Sequence, residues 1–121
     1  MSPITKIKAL AASAVTALLS ACHPLALINL LVPHSGYDLH YGLAYGPDPR
    51  QRLDIYVPKG LKAPVPVLLF FYGGAWQGGS RSNYRGFGQA FASAGIVTVV
   101  ADYRLYPAVK YPAFVEDAAG A

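Results

Sequence analysis

The 121-residue sequence contains a single cysteine, Cys22, so it can form neither an internal disulfide nor a cysteine metal cluster. Its three histidines, His23, His34 and His40, are spaced eleven and six residues apart and fit no zinc-ligand pattern, so no metal or cofactor is implied. Charge is scarce: 13% of the residues are charged and the formal net charge is +4. Lys6 and Lys8 supply two of those charges, and from Cys22 onward eight basic residues face six acidic ones, leaving +2. The remaining basic residues, Arg50, Arg52, Lys59, Lys62, Arg81, Arg85, Arg104 and Lys110, form no run. They read as a solvated surface, and nucleic acid is set aside as a partner. No apolar stretch reaches the ~18 residues of a membrane span, because His23, Pro24 and Asn29 interrupt the N-terminal one. No internal repeat is visible.

Hydrophobic residues make up 54% of the chain, enough for a packed core. At the N-terminus, Lys6 and Lys8 form a positive region, Ala9 to Leu19 an apolar region of signal-peptide length, and Leu19-Ser20-Ala21-Cys22 a small-residue close. That tetrapeptide resembles a bacterial lipobox, in which the cysteine becomes the mature N-terminus and carries acyl chains. The expectation is a signal peptide over 1–21 and lipidation at Cys22, giving an exported, membrane-anchored lipoprotein. An ordinary signal cut near Ala21, with a periplasmic or secreted product, and a membrane anchor running on through Leu25 to Val32 are the alternatives.

Residues 22–45 read as a tether with a possible first edge strand, and 46–121 as the folded domain. Tyr45-Gly46-Pro47-Asp48-Pro49 has turn chemistry. Leu53 to Val57 alternates with period 2, as a strand with one face toward a core. Val65 to Tyr72 is an unbroken apolar run, suited to a central strand buried on both faces of a parallel sheet. It empties into Gly73-Gly74-Ala75-Trp76-Gln77-Gly78-Gly79, a backbone that can approach a ligand closely. Ser82-Asn83 supplies a helix cap, and Tyr84, Phe87, Phe91 and Ala94 recur at helical spacing up to Gly95, which predicts a helix burying its aromatic face. The β-branched run Ile96 to Val100 predicts a second buried parallel strand, completing a βαβ unit. Tyr111 to Ala119 opens a further helix with proline in its first turn.

Two motifs now fall in order. Tyr72-Gly73-Gly74-Ala75-Trp76 with Gly78-Gly79-Ser80 follows one strand, and Asp102-Tyr103-Arg104-Leu105-Tyr106-Pro107 follows the next. Together they resemble the N-terminal half of an α/β-hydrolase, in the esterase branch related to hormone-sensitive lipase and the feruloyl-esterase-like carboxylesterases. The resemblance runs from Leu53 to Asp117. It implies that the amides of Gly74 and Ala75 form an oxyanion hole, with Tyr72, Gly73 and Trp76 lining the substrate pocket. Tyr72 and Ala75 stand where the family commonly has histidine and a third glycine; both departures are compatible with main-chain donors. Asp102 and Arg104 read as structural support beneath the site, with Arg104 within reach of Glu116 or Asp117. The same glycines could instead serve a strand-to-helix turn with no ligand. A P-loop is excluded because Ser80 occupies the place of its lysine, and a dinucleotide fingerprint because Phe91 occupies the place of its last glycine.

The family's nucleophile sits on a Gly-x-Ser-x-Gly elbow. Gly78-Gly79-Ser80-Arg81-Ser82 fails at its last position and Phe91-Ala92-Ser93-Ala94-Gly95 at its first. The histidines precede the sheet, and Asp102 and Asp117 precede any elbow, so no triad member is identified and the triad is expected beyond Ala121. The fold class expected is therefore α/β: the first strands and first two helices of an α/β-hydrolase sheet, truncated before the elbow. In such a sheet the third strand, Val65 to Tyr72, becomes an exposed apolar edge when the fifth is missing. The function expected is that of a carboxylic-ester hydrolase acting on small acyl esters, inactive as this piece alone. An amide or formamide hydrolase of the same fold and a non-catalytic surface lipoprotein are the alternatives.

Overall fold

A computed structural model describes residues 24–62 and 64–121. The lipobox and Cys22 lie outside the described residues. Two compact units divide at Leu31/Val32. In the first, a short helix α1 (Pro24–Leu30) occupies part of the expected tether, with proline at its first position, where the missing N–H costs no intrahelical bond. Among the described residues no helix is long and apolar enough to cross a membrane.

The second unit is a four-stranded mixed sheet with helices. Its elements are β1 (Tyr37–Ala44), β2 (Arg52–Pro58), β3 (Val67–Phe71), a 3₁₀ turn (Arg81–Tyr84), α2 (Arg85–Ser93), β4 (Val97–Ala101) and α3 (Ala113–Gly120). The sheet order is β1-β2-β4-β3. β1 and β2 pair antiparallel, as do β2 and β4, while β3 and β4 run parallel in the register Val67↔Val97 to Phe71↔Ala101. The parallel pair is joined through α2, as a crossover connection requires. This is the α/β arrangement expected, with β1 as the first edge strand.

Three details differ from the sequence reading. First, β3, whose composition suits burial on both faces, sits at the sheet edge beside β4 alone, the position that the resemblance implies for it without a fifth strand. It is buried on one face only: Phe70 stacks on Phe87 of α2 at 4.0 Å, whereas Val67 is 65% and Leu69 41% exposed. Second, the face of β2 packed most tightly carries Asp54 and Tyr56, each 1% exposed, and not Ile55 and Val57. An aspartate there is tolerable because the Arg81 guanidinium and the Gly42 N–H donate to its Oδ1, each at 2.8 Å. Gly42 lies where the β1–β2 register shifts between His40 and Leu43, a bulge that turns its N–H toward Asp54.

Third, the predicted helix begins as a 3₁₀ turn. Ser80 caps it by accepting from the Ser82 N–H, and the α-helix proper starts at Arg85. Its buried residues are Gly88 and Ala92, whereas Tyr84, Phe87 and Phe91 are half-buried and Ala94 is exposed. A Cβ on Gly88 would overlap the Tyr56 ring, so a hydrogen at this position lets helix and sheet approach. Tyr37, Tyr56, Ala92 and Val100 form the core, with Leu39, Phe70 and Tyr84 packed against it.

Candidate active site

The loop after β3 is held in an uncommon conformation. Gly74, Ala75 and Trp76 take φ of +139°, +51° and +64° in succession, and for the two residues bearing a Cβ this left-handed geometry costs about 1 kcal/mol each. Gly74 is required on a second ground, because a Cβ there would overlap the Gly78 carbonyl. The turn is closed by Gln77 N–H donating to Gly74 O at 2.9 Å and fastened to the loop after β4 by Tyr106 N–H donating to Trp76 O at 2.8 Å. The amides of Gly74 and Ala75 donate to no acceptor among the described residues, and both residues are exposed.

These residues line an open cavity of about 370 Å³ formed by Phe71, Tyr72, Gly73, Gly74, Ala75, Trp76 and Tyr103. Every residue predicted for the oxyanion loop and pocket is thus brought to one place. Trp76 is half exposed, stacks on Phe114 of α3 at 5.0 Å and meets Tyr103 edge-on at 5.3 Å. Tyr72 lines the cavity from a buried position, its ring between Tyr84 and Tyr103 and its hydroxyl donating to Asp102 Oδ1. Burial and that hydrogen bond push its phenol far above 10.

Asp102 and Arg104 do not pair with each other. Asp102 accepts from the Tyr72 hydroxyl, the Arg81 N–H at 2.7 Å and the Arg81 guanidinium. Burial works against the charge on Arg81, but its bonds to Asp54 and Asp102 outweigh this and raise its pKa further. Of its two expected partners, Arg104 pairs with Asp117. Arg50 and Arg81, grouped by the sequence among solvated surface charges, are instead engaged in this network. Arg50 donates to Tyr103 O at 2.8 Å, to the Tyr72 hydroxyl at 2.9 Å and to Gly79 O at 3.1 Å. Nothing in the sequence marks Arg50, since its partners are 22 to 53 residues away. Among the described residues no cluster of His, Cys, Asp and Glu could hold a metal ion.

The family model described as BD-FAE matches residues 53–121. The chain belongs to the BD-FAE family. Relatives and solved structures named as esterases are among the proteins it is similar to, and those structures have the α/β-hydrolase fold. A probable isoprenylcysteine alpha-carbonyl methylesterase of Oryza sativa subsp. japonica is 40% identical over 74 residues, covering 61% of this chain and 18% of its own length. Esterase LipC of Mycobacterium tuberculosis is 37% identical over 87 residues, covering 69% of this chain and 21% of its own length. Among solved structures, esterase B from Lactobacillus rhamnosis superposes with a TM-score of 0.69 at 25% identity, covering 94% of this chain and 36% of that one. The chain therefore spans about a fifth of the length of these curated relatives.

Proposed function

We propose that this BD-FAE chain is the oxyanion-loop segment of a serine hydrolase of small carboxylic esters. The observation that carries the reading is the pair of consecutive unpaired amides, Gly74 and Ala75, on a strained loop at the C-terminal end of a parallel strand, beside a cavity walled by Trp76. In acyl transfer a negative oxygen develops on the carbonyl, and two main-chain donors already in place stabilise it without reorganisation, each worth about 3 kcal/mol of barrier. The attacking serine, its histidine and the acid belong to the part of the protein outside these 121 residues, because no elbow sequence occurs within them.

The test is turnover of p-nitrophenyl butyrate and labelling by a fluorophosphonate probe. The full-length protein should show both, and the 121-residue chain neither. A full-length protein with no turnover and no labelling overturns the reading, and faster cleavage of anilides or formamides than of esters would move it to amide chemistry. Residues 1–22 support a further part of the proposal: export, lipidation at Cys22 and residence at a membrane surface, where each buried methylene of an acyl chain contributes about 0.8 kcal/mol. Incorporation of labelled fatty acid that disappears in Cys22→Ser is the expected result.

A further inference from the structure

We infer that Arg50 is a positioning residue for the oxyanion loop, a clasp that holds both ends of the glycine segment at a fixed separation. This deepens the hydrolase reading above and rests on it. Arg50 sits in the β1–β2 turn, where its own N–H donates to Asp48 Oδ1 at 2.8 Å. Its guanidinium reaches three separate strands of chain. Nη2 donates to the Tyr72 hydroxyl, just before the glycine loop, and to Gly79 O, at the loop's far end, while Nε donates to Tyr103 O after β4. Asp102 Oδ1 lies 3.9 Å from Nη2 and accepts the Tyr72 hydroxyl, so the charge that faces Arg50 also orients the phenol between them.

Ala75 and Trp76 are held at positive φ, so the segment relaxes once its ends are released. One nitrogen, Nη2, bridges the two ends while Nε holds the same guanidinium to Tyr103 O, and no other side chain among the described residues bonds both Tyr72 and Gly79. Donors to a developing oxyanion must be placed to within about 0.5 Å, and a 1 Å error costs about a hundredfold in rate.

Arg52 provides the contrast. It lies two residues on, and its Nη1 donates to Gly46 O, Asp48 O and Gln51 O, all within the same turn. It supports the turn and its side chain makes no bond to the glycine loop.

The experiment compares Arg50→Gln, Arg50→Lys and Arg52→Gln in the full-length protein, with kcat and KM for p-nitrophenyl butyrate and the ¹⁵N–¹H shifts of Gly74 and Ala75 in selectively labelled samples. Arg50→Gln should lower kcat about thirtyfold with KM within about twofold, because the lost contact belongs to the transition state. It should also displace both amide shifts. Arg50→Lys, which keeps the charge but lacks the second nitrogen that reaches Tyr103 O, should recover only part of kcat, and it carries the test if Arg50→Gln loses its cooperative melt. Arg52→Gln should lower the Tm and leave kcat and both shifts unchanged. Wild-type kcat and shifts in Arg50→Gln, or equal losses in Arg50→Gln and Arg52→Gln, overturn the inference. If the wild-type protein turns over no ester, the hydrolase reading fails separately, and the two amide shifts alone decide whether Arg50 holds the loop.

Discussion

Arg104 closes on the Asp117 carboxylate from two directions, its backbone N–H donating to Oδ2 at 2.8 Å and its guanidinium to Oδ1 at 2.8 Å. Gln51 adds a third donor at 2.9 Å, so one buried carboxylate ties the loop after β4, the β1–β2 turn and α3 together. Through Phe114 of the same helix, that junction also backs Trp76.

Burial opposes the charge on Asp117, but the hydrogen bonds from Arg104 and Gln51 prevail and hold its carboxyl below 3.8. A carboxyl depressed on folding stabilises the native state above its unfolded pKa, and that stability is lost as pH falls through the folded value. Asp117→Asn should therefore cost about 2 kcal/mol at pH 7 and flatten the acid limb of the stability curve below pH 4, measured by urea unfolding across pH.

The tyrosines act at the other end of the scale. Tyr45 is pushed up to about 12, by burial first and then by the charges of Asp117 and Asp102, and Tyr56 to about 12, by burial and then by Asp54. Groups raised on folding stabilise fully below their unfolded pKa, so stability should hold to pH 10 and fall between pH 10 and 12. Phenolate absorbance near 295 nm should rise together with the loss of circular dichroism, and Tyr45→Phe should reduce the alkaline slope.

Gly79 has φ of +112°, and a Cβ there would overlap the Tyr72 ring, itself pinned between Tyr84 and Tyr103. Gly36 has φ of +89° with nothing within 4 Å. Both alanine substitutions incur backbone strain of about 1 kcal/mol, and Gly79→Ala should cost about 2 kcal/mol more from overlap. Equal losses in chemical denaturation would show that the Tyr72 ring yields freely.

Val67 and Leu69 leave an apolar strip on an edge strand, which templates association. The 121-residue chain expressed alone should scatter light at micromolar concentration, and Leu69→Lys should reduce the scattering. A sharp, reversible thermal transition of a monomeric wild-type chain contradicts this.

The glycine loop and the Asp102-Tyr103-Arg104 segment were legible in the sequence because each is contiguous and follows a local run of strand-forming residues. The edge location of β3 was legible only through the family's sheet order. Its composition, Val65 to Tyr72, reads the same at the centre of a sheet as at its rim, since hydrophobicity records the environment a strand is suited to and not the neighbours it has.

By itself the sequence determined strands at 53–57, 65–72 and 96–100, the turn at 45–49 and the identity of the loop residues, through alternation, apolar and β-branched runs and local backbone preference. Only the tertiary structure decided that Asp54 is buried, that Tyr72 turns its hydroxyl inward, and that Arg50 and Arg81 bond to groups far along the chain. A long cationic side chain has no local preference strong enough to announce its partner. Its destination is set by which carbonyls and carboxylates, tens of residues away, the folded sheet brings within 3 Å of its fork.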